Sequence, residues 1–420
     1  MHSIFQFCVV PFKCRPKKAA FWDDIAFCIV FFWKVWTKFL TTHPKPIFGI
    51  YPRENRYYWI KLIIMYFLLA IKRLHVRLVM PNLKEYYKNL DKAQKLSPTP
   101  KAVDAVFFNA ANKNGDYFTI GFARRPDRIV DGFIYLKLAS TEYGLLESLR
   151  LPSTTLFNSG EEESFEAEGI KITTLEPMKK WRIYYKGNLR PHGNFSQHLD
   201  VTIDAIFHTD EPCYNFLIDL DPWSMAKNFA YETWSIAYFK NVSKLHQLHY
   251  QQFGTIDMNI TINKKEFKCN LDAVRDHTIA KHRDWGIFRR YALHWITTEN
   301  GDHFSLLSLC QSVAFSRLQL GFMWKASERK LYPIRNSSLE LYQYGELGTP
   351  PKDYGLTFTA GSNMYDMKVT VLDSPFFYIS KAWESKIFEC HCAVEINGIK
   401  GHGGVEWQYK NLQGKNAPVD

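Results

Sequence analysis

Apolar and polar positions alternate in short runs from about residue 105 onwards, the pattern of half-buried strands. AVFFNAANKNGDYFTIGFA (105–123) reads as a hairpin with its turn at Asn114-Gly115. IVDGFIYLKLA (129–139) and WRIYYKGNL (181–189) continue as strands. An Asn-Gly pair in a two-residue hairpin takes positive φ at both positions. The design returns in LHWITTENGDHFSLLSL (293–309), which aligns with FFNAANKNGDYFTIGFA (107–123) on NGD at an offset of 186 residues. The aligned context, with Phe118 and Phe304 each two places after the Asp, points to an internal duplication. A third turn at Asn397-Gly398 joins IFECHCAVEI to IKGHGGVEWQY. Between the halves, Met225, Phe229, Trp234, Tyr238, Val242 and Leu245 fall at helical spacing within 223–250. The expectation is a mainly β fold: two β-barrel or β-sandwich halves, an internal repeat, joined by helices.

The N-terminal arm has a different pattern, with two apolar stretches, IAFCIVFFWKVW (25–36) and YYWIKLIIMYFLLAI (57–71). The fifteen residues of the second rise about 22 Å as a helix, short of the ~30 Å hydrocarbon core. Flanking Val76 to Met80 extend the span, and Lys61, Lys72 and Arg73 could snorkel. Four arrangements satisfy this pattern: one transmembrane helix at 57–80, a shallow hairpin, an interfacial pair, or a helical pair packed on the body. The boundaries expected are an arm over 1–92, a Pro-containing linker over 93–103, a first β half over 104–222, connecting helices over 223–250, a second β half over 251–412 and a tail over 413–420.

Charge sharpens the picture of the arm. The net charge of +11 is not evenly spread: residues 1–100 hold 17 Lys/Arg against 5 Asp/Glu, and residues 101–420 hold 36 against 37. Basicity interleaved with Trp, Phe and Tyr reads as a membrane-surface segment, and no nucleic-acid motif accompanies it. The expected partners are therefore a membrane and an apolar small molecule, not nucleic acid. The seven Lys/Arg against two acids in 72–95 favour a cytosolic body, whether single-pass or monotopic. The eight cysteines are scattered without a CxxC pair, and Cys390-His391-Cys392 puts its thiols on one strand face and the His on the other. Free thiols are expected, with no metal and no cofactor. His246 and His249 would share a helical face, without a third ligand.

The densest chemistry is RDHTIAKHRDW (275–285): Arg275, Asp276, His277, His282, Arg283, Asp284 and Trp285. Three readings suit it. Arg275–Asp276 and Arg283–Asp284 could be buried ion pairs that clasp a barrel; Asp284→Ala would then cost more stability than His277→Gln. The cluster could instead recognise a ligand, with Trp285 lining an apolar cavity inside a barrel. In a catalytic reading, His277 or His282 moves a proton and Asp276 or Asp284 fixes its tautomer. Glu406, which shares a strand face with His402, is the expected carboxylate partner for one of the arginines. Asn109 aligns with Trp295 in the repeat, and both are expected to point to the core or cavity.

These stretches also carry a resemblance. DLDPWSMAKNFAYETWSIAYFKNVSKLHQLHYQQFGT, RDHTIAKHRDWG and GHGGVEWQY look like the N-terminal region of animal phosphoenolpyruvate-synthase-like proteins. More distantly they resemble the lipocalin-like carotenoid hydratase and Diels–Alderase superfamily, over roughly 100–410. The polar motif of that superfamily reads close to RDHSWGxRDW; here TIAKH follows His277, so the first Trp-Gly is missing. The resemblance implies two lipocalin-like halves and an apolar ligand that is either bound or acted upon. The action implied is that of a cofactor-independent hydratase, isomerase or cyclase. It also raises an accessory or regulatory half of a phosphotransferase-like assembly, with a separate partner chain. No Gly-rich phosphate loop is present, so phosphotransfer itself does not carry over.

Overall fold

The computed structural model describes residues 44–79, 83–245 and 247–418. The apolar stretch 25–36 and His246 lie outside the described residues. Eight antiparallel strands form the first barrel: β1 Val103–Ala111, β2 Tyr117–Arg124, β3 Ile129–Lys137, β4 Leu145–Ser148, β5 Lys180–Pro191, β6 Leu199–His208, β7 Gln247–Ile262 and β8 Lys265–Ala280. Each pairs with the next, and β8 returns to β1, with Phe108 opposite Arg275. The second barrel repeats the scheme: β9 Phe288–Thr298, β10 His303–Gln311, β11 Leu318–Lys325, β12 Lys330–Ser337, β13 Asp353–Ala360, β14 Asn363–Asp373, β15 Ser385–Ile396 and β16 Ile399–Lys410. It closes by β16 on β9, with Trp295 opposite Gly404. Both are up-and-down eight-stranded barrels, the architecture of lipocalins. The NGD motifs open the two barrels in equivalent places, at the β1–β2 and β9–β10 hairpins.

Three details differ from the sequence reading. The hairpin β7–β8 completes the first barrel, so the boundary placed at 251 falls inside it. The physical reason is closure: β6 needs a partner on its free edge, and β7 supplies it with Thr255 opposite His208. The NGD turns are also longer than two residues. Ala111 pairs with Tyr117, and only Gly115 takes positive φ, at 89°; the second repeat does the same at Gly301, at 82°. The turn at 397–398 does have both residues at positive φ, Asn397 at 48° and Gly398 at 82°, and joins Ile396 directly to Ile399. Finally, neither barrel is hollow. Along β6 the residues Leu199, Val201, Ile203, Ala205 and Phe207 all point inward and are buried. They pack with Phe108, Trp181 and Ile260. Phe304, Met367 and Trp407 fill the second barrel in the same way. The ligand space expected inside a barrel is occupied by side chains.

A third apolar cluster lies between the barrels and is covered by helices. These are α1 Tyr58–Val79, α2 Leu83–Leu90, α3 Pro222–Tyr231 and α4 Ile236–Lys244. Asp221 caps α3, its carboxylate accepting from the Ser224 N–H at 3.0 Å, and Ser235 caps α4. The helical segment ends before 250, because the chain enters β7 at Gln247. His249 is therefore a strand residue. On α1, Tyr58, Leu62, Met65 and Leu69 are buried against this cluster, and Lys61 donates to the Glu232 carbonyl at 2.8 Å. The opposite face carries Trp59, Ile63, Phe67, Ile71, Leu74 and Leu78, all exposed. Among the described residues no helix is long and apolar enough to cross a membrane. Lys61, Lys72, Arg73 and Arg77 interrupt α1, and its inner face is a packing surface.

Candidate ligand cavity between the barrels

The outward faces of β1, β2 and β3 meet those of β9 and β10, and the side chains there are apolar although they lie outside a barrel. Phe107 packs on Trp295 with ring centroids 5.0 Å apart, and Phe133 on Phe377 at 4.2 Å. Where the two curved surfaces diverge they leave a cavity of about 340 Å³, roofed by Leu69, Met225 and Val242 from the helices. That volume is within the usual range for a small-molecule site. Its walls are predominantly apolar, with Phe and Leu the commonest side chains, and Asp276, Arg283, Tyr291 and Glu406 are among its polar groups.

The polar motif is divided between this cavity and the first barrel. Strand alternation causes the division: successive side chains of β8 point to opposite faces. Arg275 and His277 point into the first barrel and are fully enclosed. Arg275 donates to Asp91 at 2.5 Å and to Gln252 at 2.8 Å. Asp91 also accepts from Trp181 Nε1 at 3.1 Å and from the Tyr250 hydroxyl at 2.7 Å. Burial raises the Asp91 carboxyl, but Arg275 and the Met178 N–H outweigh it and hold the pKa below the ordinary range. His277 sits between the Tyr250 hydroxyl at 2.8 Å and Asp104 at 2.7 Å, and Arg124 pairs with the other Asp104 oxygen. A buried polar clasp therefore exists, but its acids are Asp91 and Asp104. The expected Arg275–Asp276 and Arg283–Asp284 pairs do not form.

Asp276 points the other way, to the cavity, and is held by His249, by Gln251 at 2.9 Å and by Thr278 at 3.1 Å. Burial pushes its carboxyl up, and His249 brings it back below the ordinary range. Arg283 borders the same cavity and lies over the Trp285 ring at 4.7 Å. Asp284 caps the short turn after it, accepting from the Gly286 N–H at 2.9 Å, and pairs with half-exposed Lys101 at 2.5 Å. His282 is exposed at the rim. His277, enclosed in the barrel, does not reach the cavity.

Glu406 does. It accepts from the Tyr291 hydroxyl and lies directly opposite Glu389 across the β15–β16 ladder. Burial is the largest influence on both carboxyls and raises both pKa values, and the Glu406 charge adds to the rise at Glu389. Two buried carboxylates in this position cannot both ionise cheaply, so the pair retains a proton. The expected ion pair of Glu406 with an arginine is absent, although Arg283 is close enough to stabilise its charge. Trp295 lines the cavity as expected. Asn109 does not; it bonds Thr119 at 3.0 Å and packs against Gly404, where a Cβ would approach its amide to 2.4 Å. The sequence reading missed Tyr291 and Glu389 and placed His249 on a helical face with His246, away from this cluster. Cys390 and Cys392 are buried free thiols in the second barrel, while His391 faces out and stacks on Tyr117 at 4.8 Å. No cluster suited to a metal ion occurs among the described residues.

The fold and cavity define a mainly β protein of two lipocalin-like barrels. The chain belongs to a family of unknown function, DUF8627, whose pattern it matches over residues 25–409. No curated protein matches it. Similar solved structures include an AttH candidate from Nitrosomonas europaea (9% identity, TM-score 0.49, covering 74% of this chain and 92% of that one). Kievitone hydratase from Nectria haematococca is similar at 9% identity and TM-score 0.46, covering 74% and 89%. CghA is similar at 10% identity and TM-score 0.44, covering 74% and 88%.

Proposed function

We propose that this protein binds an apolar small molecule, of lipid or isoprenoid type, in the cavity between its barrels. The observation that carries this reading is the cavity itself: about 340 Å³ with predominantly apolar walls, in a molecule whose barrel interiors are filled. Native mass spectrometry of protein purified without detergent should show a hydrophobic molecule that leaves on denaturation. Protein that stays ligand-free after incubation with a lipid extract would count against the reading.

A second reading, cofactor-independent acid–base chemistry on the same molecule, is favoured by the proton that the Glu389–Glu406 pair retains beside the cavity. In a hydratase step, the Glu389–Glu406 pair would give its retained proton, through Glu406, to an alkene carbon. Water would add to the resulting cation and return a proton to the carboxylate. Isomerase and cyclase steps would begin with the same protonation. If the co-purified molecule gains the mass of one water on incubation, Glu406→Gln should slow that gain by 10²-fold or more while binding persists. An unchanged mass on long incubation leaves a binding protein. The accessory half of a phosphoenolpyruvate-synthase-like phosphotransferase rests on the sequence resemblance alone, and no relative found carries that name.

Attachment to a membrane surface belongs to the same proposal, with the body on the cytosolic side. The exposed stripe Trp59, Ile63, Phe67, Ile71, Leu74 and Leu78 runs along one side of α1, flanked by Lys72, Arg73 and Arg77. An apolar face with basic borders suits an interfacial helix on anionic lipid. The protein should co-sediment with vesicles containing phosphatidylserine, and Phe67→Glu with Leu74→Glu should abolish this without changing the circular dichroism. Sedimentation unaffected by both substitutions would remove α1 as the anchor.

A further inference from the structure

Arg283 lies half-buried at the cavity wall and has no ion-pair partner. Among the described residues no carboxylate lies within 4.0 Å of its guanidinium, and its Nε has no hydrogen-bond acceptor. The two nearest acids are otherwise engaged. Asp276 is taken by His249 and Gln251, and Glu406 accepts from Tyr291 within a pair that keeps a proton. What Arg283 does touch is the Trp285 ring on one side and the cavity on the other. The fully buried arginines of the first barrel and of β9 each have a carboxylate: Arg275 has Asp91, Arg124 has Asp104, Arg190 has Glu147 and Arg290 has Glu346. A half-buried cation at an apolar wall without an ion-pair partner loses hydration for no compensating charge, and a ligand that supplies the missing charge recovers that cost.

We propose that Arg283 receives an anionic head, so that the ligand is an apolar chain or ring system bearing one carboxylate or equivalent oxyanion. This rests on the cavity reading and narrows it. A planar guanidinium presents paired N–H donors that match the two oxygens of a carboxylate. On the same wall the Tyr291 hydroxyl keeps its proton, the Glu389–Glu406 pair retains one proton between its two carboxyls, and Asp276 is taken up by His249 and Gln251. Trp285 fixes the guanidinium plane by stacking. The rest of the cavity wall is predominantly apolar, so the body of the ligand is recognised chiefly by size and the head by charge.

The test uses the intact protein with cis-parinaric acid and its methyl ester, whose fluorescence rises on entering an apolar site. The acid should bind the wild type at least ten-fold more tightly than the ester. Arg283→Met should bring the two within about two-fold of each other, with the ester's affinity unchanged. Equal binding of acid and ester by the wild type would overturn the anion receptor while leaving the cavity reading intact, and this arm needs no variant. A preference retained in Arg283→Met would overturn it too, since another group would then hold the head. If neither probe binds, the cavity reading and this inference both fall.

Discussion

Asp91→Ala is expected to destabilise the protein by about 3–5 kcal/mol, the cost of leaving a buried charge without its partner. Asp91 is fully enclosed and gathers Arg275, Tyr250, Trp181 and the Met178 N–H. Removing it strands the Arg275 guanidinium, which would keep only neutral acceptors, Gln252 and the weakly accepting Met178 sulfur. That loss is a large share of the ~5–15 kcal/mol that holds a typical domain together. Asp284→Ala is the control. It removes an ion pair to a half-exposed lysine and one cap hydrogen bond, together about 1 kcal/mol. Urea unfolding of both variants decides the matter. Equal losses, or a larger one for Asp284→Ala, would show that the clasp is not centred on Asp91.

Glu389→Gln should stabilise the protein progressively as pH rises. Unfolded glutamates release their protons near the ordinary value of 4.5, whereas the folded Glu389–Glu406 pair keeps one to higher pH. Above that ordinary value the folded state therefore binds more protons than the unfolded state, and stability falls with rising pH. For one proton the slope is about 1.4 kcal/mol per pH unit, and it ends when pH passes the pair's raised pKa. Gln at 389 removes the like-charge partner and offers Glu406 an amide donor. The difference in unfolding free energy between variant and wild type, measured at half-unit steps from pH 5 to 8, should grow in the variant's favour. Glu232, raised by burial to about 7, contributes to the slope in both proteins and cancels in the difference. Parallel pH profiles would mean that the two carboxyls do not share a proton.

Much of the architecture was legible in the sequence because local rules wrote it. Period-two alternation gave the strands, and the repeated NGD marked the first hairpin of each half. The Asn397-Gly398 turn even fixes a register: counted outward from it, Glu389 falls opposite Glu406. The carboxyl pair could have been found that way. Alternation within β8 likewise implied that Arg275 and His277 share one face and Asp276 the other, which already excludes a common site for all three.

Closure and packing were decided only by the tertiary structure. The assignment of β7 and β8 to the first barrel follows from which edge was left open, not from their own residues. The partners of the clasp, Asp91 and Asp104, stand 184 and 173 positions from Arg275 and His277. No spacing rule spans such a distance; Asp104 reaches His277 because β1 pairs with β8 to close the barrel, and Asp91 reaches Arg275 from the residue directly after α2. The same holds for the cavity. Hydrophobic pattern fixes which strand faces are apolar, because burial demands it. Whether two apolar faces meet everywhere or part to leave about 340 Å³ depends on the curvature of two barrels packed side by side.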